Sequence, residues 1–279
     1  MLYRYGNRPV WRADSLTANV DSIKHRLKQG LSPVQQRKLL RFINRIQTIG
    51  RTSDLSFLAR IYGTDKWGAH FYTEHYQRYF QNWRRKPLRI LEIGVGGYSD
   101  LARGGASLRM WKRYFPNSRV VGIDLHDKSG LSEDRIQILQ CDQTDAGRLA
   151  DISMRYGPFD IVIDDGSHLN DHVIQTFQIL FPLLNTPGFY SIEDLQTAYW
   201  PTWGGVKGKS SIEYLKSAID GLNHVENPMS GEPSYFDAHI IEIAFFHNLC
   251  ILRKGINNEP SNFPDLVDKE RLGLDSPCH

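Results

Sequence analysis

Short apolar runs punctuate this chain, each ending in an acid or amide. Leu88, Ile90, Leu91 and Ile93 form a run too short for a helix and apolar at nearly every position, the pattern of a strand buried on both faces of a parallel sheet. Similar runs follow at Arg119–Asp124, Arg135–Leu139, Phe159–Asp165 and Gly188–Asp194. Between them lie amphipathic stretches with helical spacing. Thr144–Tyr156 is one, and Asn170–Phe181 is another, with Val173, Ile174, Phe177 and Leu180 on one face and Pro182 to stop it. His239–Phe246 and Asn248–Arg253 read as a closing hairpin of two strands. Strands alternating with helices predict an open α/β sheet that builds its site at the carboxyl ends of the strands.

The segments outside this alternation are less regular. Met1–Trp11 reads as an irregular arm. Ser15–Lys28 and Ser32–Ile49 read as two helices, the second with Leu39, Leu40, Ile43 and Ile46 in phase, Ser32 as cap and Pro33 at the first helical position. They form a helical appendage that could serve as an oligomerisation surface or pack on the core. Thr52–Tyr62 starts a further helix capped by Ser53 or Asp54, and the aromatic stretch His70–Phe80 follows, with Phe71, Tyr76 and Phe80 assigned to packing. Trp200–Lys209, with two tryptophans and three glycines, reads as a mobile lid on the acceptor side, Ile212–Leu222 as a helix, and the polar segment beyond Gly255 as extended or disordered. The domain limits expected are 1–61, 62–255 and 256–279.

Composition narrows the class. With 279 residues and 41% apolar content, the chain can bury one large core. A net charge of +3 from scattered lysines and arginines gives no basic stripe, so nucleic acid is not an expected partner. Three cysteines, Cys141, Cys250 and Cys278, make neither a disulfide framework nor a zinc site, and no signal sequence or membrane-spanning run is evident. A cytoplasmic location is the expectation.

Candidate chemistry starts at Glu92-Ile-Gly-Val-Gly-Gly97. Gly94, Gly96 and Gly97 allow a tight turn and close approach of a ligand, and Asp124 ends the second strand where an acid takes ribose hydroxyls. Ser99 stands where a dinucleotide fingerprint has its third glycine, so an amino-acid or nucleoside pocket is favoured over a pyrophosphate cradle, and nicotinamide chemistry is disfavoured. Thr64 and Lys66, in a Gly-flanked loop before the first strand, could close over the cofactor. If the fourth and fifth strands are neighbours, Asp165, Glu193 and Asp194 converge at one sheet edge about 4.8 Å apart. Acids at strand ends also cap helices or pair with lysines; three acids beside His168 favour a hard divalent cation, Mg2+ or less readily Mn2+. His168, three residues beyond Asp165, can take a proton from a hydroxyl, unless it merely decorates the helix start near Asp171; His172 is a weaker rival.

Tyr62-Gly-Thr-Asp-Lys-Trp67, Glu92-Ile-Gly-Val-Gly-Gly97, Tyr114-Phe-Pro116 with Gly122-Ile-Asp124, Asp164-Asp-Gly-Ser-His168 and Glu193-Asp194 resemble the class I S-adenosylmethionine-dependent methyltransferases, and within them the metal-dependent sugar O-methyltransferases of macrolides and other glycosides. The resemblance covers roughly Tyr62 to Gly255; the N-terminal helical segment has no counterpart in it. It implies a Rossmann-like sheet, mostly parallel with the last strand antiparallel, and an N-terminal helical appendage. It implies S-adenosylmethionine and Mg2+ as cofactors, with Asp165, Glu193 and Asp194 as metal ligands and His168 as base. Glu92 and the Gly94–Gly97 turn would meet the amino-acid end of the cofactor, Asp124 its ribose, Asp142 and Gln143 its adenine, with Asp164 also facing it. The acceptor would be a small-molecule or oligosaccharide glycoside. A catechol-type O-methyltransferase and a catalytically silent scaffold are the alternatives.

Overall fold

The computed structural model describes residues 30–227 and 231–271. The expected arm at Met1–Trp11 and helix at Ser15–Lys28 lie outside them. The chain divides into two compact units, Met1–Arg51 and Thr52–His279. In the first, helix α1 (Pro33–Gln47) starts at Ser32, whose side chain and that of Gln35 form a reciprocal capping box.

The second unit opens with α2 (Leu55–Tyr62), capped by Asp54, and α3 (Tyr72–Phe80). β1 (Arg89–Ile93), α4 (Ala106–Tyr114), β2 (Arg119–Asp124), β3 (Ile136–Gln140), α5 (Ala146–Tyr156), β4 (Phe159–Asp164), α6 (Asn170–Leu183) and β5 (Leu184–Ile192) then alternate. α7 (Ser211–Leu222), α8 (Tyr235–His239), β6 (Ile240–Phe246), β7 (Leu249–Lys254) and α9 (Pro264–Arg271) complete the described chain. The sheet order is β3-β2-β1-β4-β5-β7-β6, parallel through β5, with β7 antiparallel to both its neighbours. The class I Rossmann-like sheet expected from the sequence is therefore the sheet found.

Several limits differ from the sequence reading. Pro182 does not stop α6 but sits in its last turn, where α6 is about to end and little intrahelical bonding is lost. The segment beyond Gly255, expected to be extended or disordered, contains α9. Phe71, assigned to packing, is exposed, whereas Tyr76 and Phe80 are fully buried. No helix among the described residues is long and apolar enough to cross a membrane.

Alternation along the strands fixes what each face carries. Ile90, Ile161, Ile163 and Phe189 point to the face covered by α2, α3 and α4, where they meet Tyr76, Phe80 and Trp111. Leu91, Ile93, Val162, Tyr190 and Ile192 point to the other, against Leu149, Phe177 and Phe181. With a period of two, Glu92, Asp165 and Glu193 all fall on the first face, below α3, and Asp164 falls on the second. The parallel register then brings them level: Gly94 N–H donates to the Ile123 carbonyl, Asp165 N–H to Ile93, and Glu193 N–H to Asp164, at 2.8, 3.0 and 2.9 Å.

Phe80 is central to the first face, its ring among those of Tyr76, Trp111, Phe115 and Phe189. Phe80→Ala is expected to cost about 3–5 kcal/mol, as cavities left by core aromatics do, read as a lowered urea midpoint at unchanged slope.

Candidate active site

A buried lysine organises the carboxyl edge of the sheet. Lys66 lies in the loop between α2 and α3, and its Nζ is 2.7 Å from Asp165 Oδ2, 2.8 Å from Glu193 Oε2 and 3.2 Å from Glu92 Oε1. Burial alone would strip its proton, but Asp165, Glu193 and Glu92 outweigh this and hold its pKa well above the usual lysine value. Burial pushes the Glu92 carboxyl up to about 7 against the pull of Lys66. Expected from sequence over a cofactor, Lys66 is instead fully buried among acids. Thr64, also buried, has its hydroxyl 3.5 Å from the Lys66 amide nitrogen.

α3 supplies two further contacts that the sequence reading missed. Tyr76 Oη donates to Glu193 Oε1 and Tyr72 Oη to Asp194 Oδ1, both at 2.7 Å. These tyrosines are four residues apart and so share one helix face. A buried tyrosine hydroxyl requires a partner, which was the available signal. The two hydroxyls send the adjacent carboxylates in different directions: Glu193 inward to Lys66, Asp194 outward. His70, also missed, stacks on Tyr72 and places its Nε2 3.5 Å from Asp194 Oδ1.

The outward side is a group of three. One ligand atom each from Asp165, His168 and Asp194 lies within 4.8 Å of the others. His168 Nε2 is 3.5 Å from Asp194 Oδ2 and 3.8 Å from Asp165 Oδ1. The two carboxylates suit a hard divalent cation that completes its shell with other oxygens, with the imidazole nitrogen beside that shell rather than in it. Burial raises the Asp194 pKa, but the Tyr72 hydroxyl and the imidazoles of His168 and His70 outweigh it and hold the carboxyl below its ordinary value. His168 and Asp194 both adopt left-handed backbone, with φ of +55° and +54°, a conformation that non-glycine residues hold only when their surroundings enforce it. His172 Nδ1 instead lies 3.0 Å from Ser167 Oγ.

The other named residues divide into a convergent set and two outliers. Gly94, Gly96 and Gly97 turn with φ of +89°, +73° and +83°. A Cβ on Gly94 would collide with the Asp165 carbonyl oxygen, so the glycine lets β1 and β4 end side by side. Asp124 accepts from the backbone N–H groups of Val95 and His126 at 3.0 and 2.9 Å, which aims it at the glycine turn. On the second face, Gln143 Nε2 donates to Thr176 Oγ1 at 3.1 Å, and its Oε1 accepts from Ser167 N–H at 2.7 Å. Asp164 stands beside Gln143, its carboxyl pushed up to about 7 by burial. Ser99 and Asp142 are exposed, and Asp142 is engaged by its own turn through Thr144. For an adenosine cofactor the fit is carried by Glu92 Oε2 and Asp164 Oδ2, buried acceptors that no well-formed hydrogen bond satisfies among the described residues.

The Trp200–Lys209 segment, expected as a mobile lid, contains a 3₁₀ turn at Pro201–Trp203 and is tied to the start of α6. Asn170 is fully buried, and its Nδ2 donates to the carbonyls of Trp203 and Thr197 at 2.9 and 3.3 Å.

No protein-family model matches the chain. It is 47% identical over 229 residues to demethylmacrocin O-methyltransferase of Streptomyces fradiae, covering 77% of this chain and 58% of that one. It is 46% identical over 238 residues to mycinamicin VI 2''-O-methyltransferase of Micromonospora griseorubida, covering 80% and 60%. A solved structure of the MycE methyltransferase from the mycinamycin biosynthetic pathway, in complex with Mg, SAH and mycinamycin VI, superposes with a TM-score of 0.70 at 46% identity, covering 75% of this chain and 56% of that one. The chain thus spans under two thirds of the length of the relatives it matches. Its fold is that of the class I methyltransferases. Within that class, the chain is a homologue of sugar O-methyltransferases of antibiotic pathways.

Two predictions follow from the buried charges. Lys66→Met leaves buried carboxylates without their cation and is expected to cost about 3–5 kcal/mol, measured by denaturation without added metal. Asp164 keeps its proton up to about 7 when folded but loses it near 3.8 when unfolded. The unfolded state therefore ionises first, and this group's contribution to stability falls as pH rises through that interval. Relative to Asp164→Asn, the cofactor-free wild type should lose stability between those two pH values, and parallel profiles would refute the assignment.

Proposed function

We propose that the protein transfers the methyl group of S-adenosylmethionine to a hydroxyl of a sugar carried by a larger small molecule, with a divalent cation and His168 as base. The observation that carries this reading is the convergence of Asp165, His168 and Asp194 at the carboxyl edge, beside the Gly94–Gly97 turn, in a homologue of sugar O-methyltransferases.

Asp165 and Asp194 are the ligands facing outward. Glu193 is the third, and its carboxylate has the most to change, since Lys66 and Tyr76 now hold it. Glu92 and the turn of Gly94, Gly96 and Gly97 hold the amino-acid end of the cofactor, and Asp124 takes the ribose hydroxyls. Gln143 and Asp164 lie toward the adenine, and Asp142 and Ser99 contribute from the exposed rim. Thr64 and Lys66 act from beneath, through the acids they contact. When bound, the sulfonium supplies an electrophilic methyl, and the cation supplies Lewis acidity and a template for neighbouring hydroxyls. The protein's own part is to orient and to move one proton. His168 Nε2 is placed to take the hydroxyl proton as the oxygen gains the methyl, with Asp165 Oδ1 and Asp194 Oδ2 facing the imidazole at 3.8 and 3.5 Å.

The test is methyl transfer to mycinamicin VI, demethylmacrocin and catechol. Sugar acceptors should be methylated, activity should vanish with chelator and return with Mg2+, and His168→Ala should lose roughly 10²–10⁴-fold in kcat while keeping its affinity for S-adenosylmethionine by calorimetry. Preference for catechol would replace the acceptor class, and indifference to chelator would remove the cation from the mechanism.

A further inference from the structure

His168 has an aromatic neighbour on its open side. The Trp203 ring centroid lies 6.2 Å from that of His168, with the planes inclined by 47°, and the indole is only partly buried. Its place is set by Asn170, two residues beyond His168. Asn170 Nδ2 donates to the Trp203 and Thr197 carbonyls, and its Oδ1 accepts from Ser211 N–H at 2.7 Å. One buried amide thus ties both ends of the Leu195–Ser211 segment to the start of α6. Gly205 tightens the turn further, since a Cβ there would press on the Trp200 amide nitrogen at 2.6 Å. These contacts anchor the segment as a wall beside the start of α6 at Thr197, Trp203 and Ser211.

We propose that Trp203 is the platform on which the acceptor's pyranose ring stacks, and that Asn170 is the positioning residue that holds it beside the base. The proposal rests on the sugar-methylating function above and deepens it. A pyranose carries its hydroxyls on the rim and C–H bonds on its faces, so one face is apolar and suits the π face of an indole. A hydroxyl within about 2.6–3.2 Å of His168 Nε2 belongs to a ring that extends over the gap toward Trp203. The rim then meets Asp165, His168 and Asp194, and the apolar face meets the indole. Such a wall would select the face on which the sugar lies, and with it which hydroxyl reaches the base.

The test uses the full chain with Mg2+, S-adenosylmethionine and mycinamicin VI. Trp203→Ala should raise KM for the acceptor by about ten-fold, the loss of a stacked aromatic, with unchanged affinity for S-adenosylmethionine; Trp203→Phe should recover part of that loss. Acceptor binding should change tryptophan emission in the wild type by clearly more than in Trp203→Phe. Asn170→Ala should raise KM in the same sense with a smaller effect on kcat, its folding verified by thermal melting. An acceptor KM for Trp203→Ala close to that of the wild type, or an emission change of equal size in Trp203→Phe, would overturn the platform. A normal KM in folded Asn170→Ala would overturn the positioning role. A wild type that methylates no sugar acceptor would remove the functional reading and this inference together, whereas an active wild type with an indifferent Trp203→Ala removes this inference alone.

Discussion

Three carboxylates and one ammonium at a dry sheet edge set the terms for the rest of the domain. Strand alternation carries Glu92, Asp165 and Glu193 to a single face, where burial raises the Glu92 and Glu193 carboxyls above their ordinary values. The Lys66 ammonium, within 3.2 Å of all three, offsets part of that cost. It comes from the loop that joins α2 to α3, and those helices pack on the sheet through Leu55, Leu58, Tyr76 and Phe80. Packing on one face and electrostatics at its rim are one construction.

The parallel strands were legible because each carries apolar residues on both faces and runs into an acid or amide, and the type of sheet followed from the family resemblance. The convergence of Asp165 with Asp194 and His168 could likewise be anticipated once β4 and β5 were taken as neighbours. The destinations of Glu193 and Lys66 were not legible. Pairing with lysine and pairing with a cation were competing expectations for the acids; the structure shows the lysine pairing at Glu193, and on the other side of that carboxylate pair it groups Asp194 with Asp165 and His168. What separates them is the pair of hydroxyls from Tyr72 and Tyr76, and aromatic density in that stretch hid two hydrogen-bonding groups behind a packing signal. Asn170 was hidden for another reason: its partners Thr197, Trp203 and Ser211 are remote in sequence, and side-chain bonds to backbone carbonyls leave no periodicity.

The two sides of the site differ in how they are held. The side of the glycine turn is made largely of backbone, with N–H groups that fix Asp124. The side of His168 and Trp203 is made of side chains on the segments after β4 and β5, whose loops can change without disturbing the sheet. Relatives that share the first can therefore differ in the second.

The left-handed backbone at His168 and Asp194 has an evolutionary corollary. Glycine would sit there more comfortably, relieving on the order of 1 kcal/mol at each position, yet it would erase the imidazole or the carboxylate. Selection for heat tolerance alone would favour glycine at either position, at the loss of the imidazole or the carboxylate that face each other there at 3.5 Å.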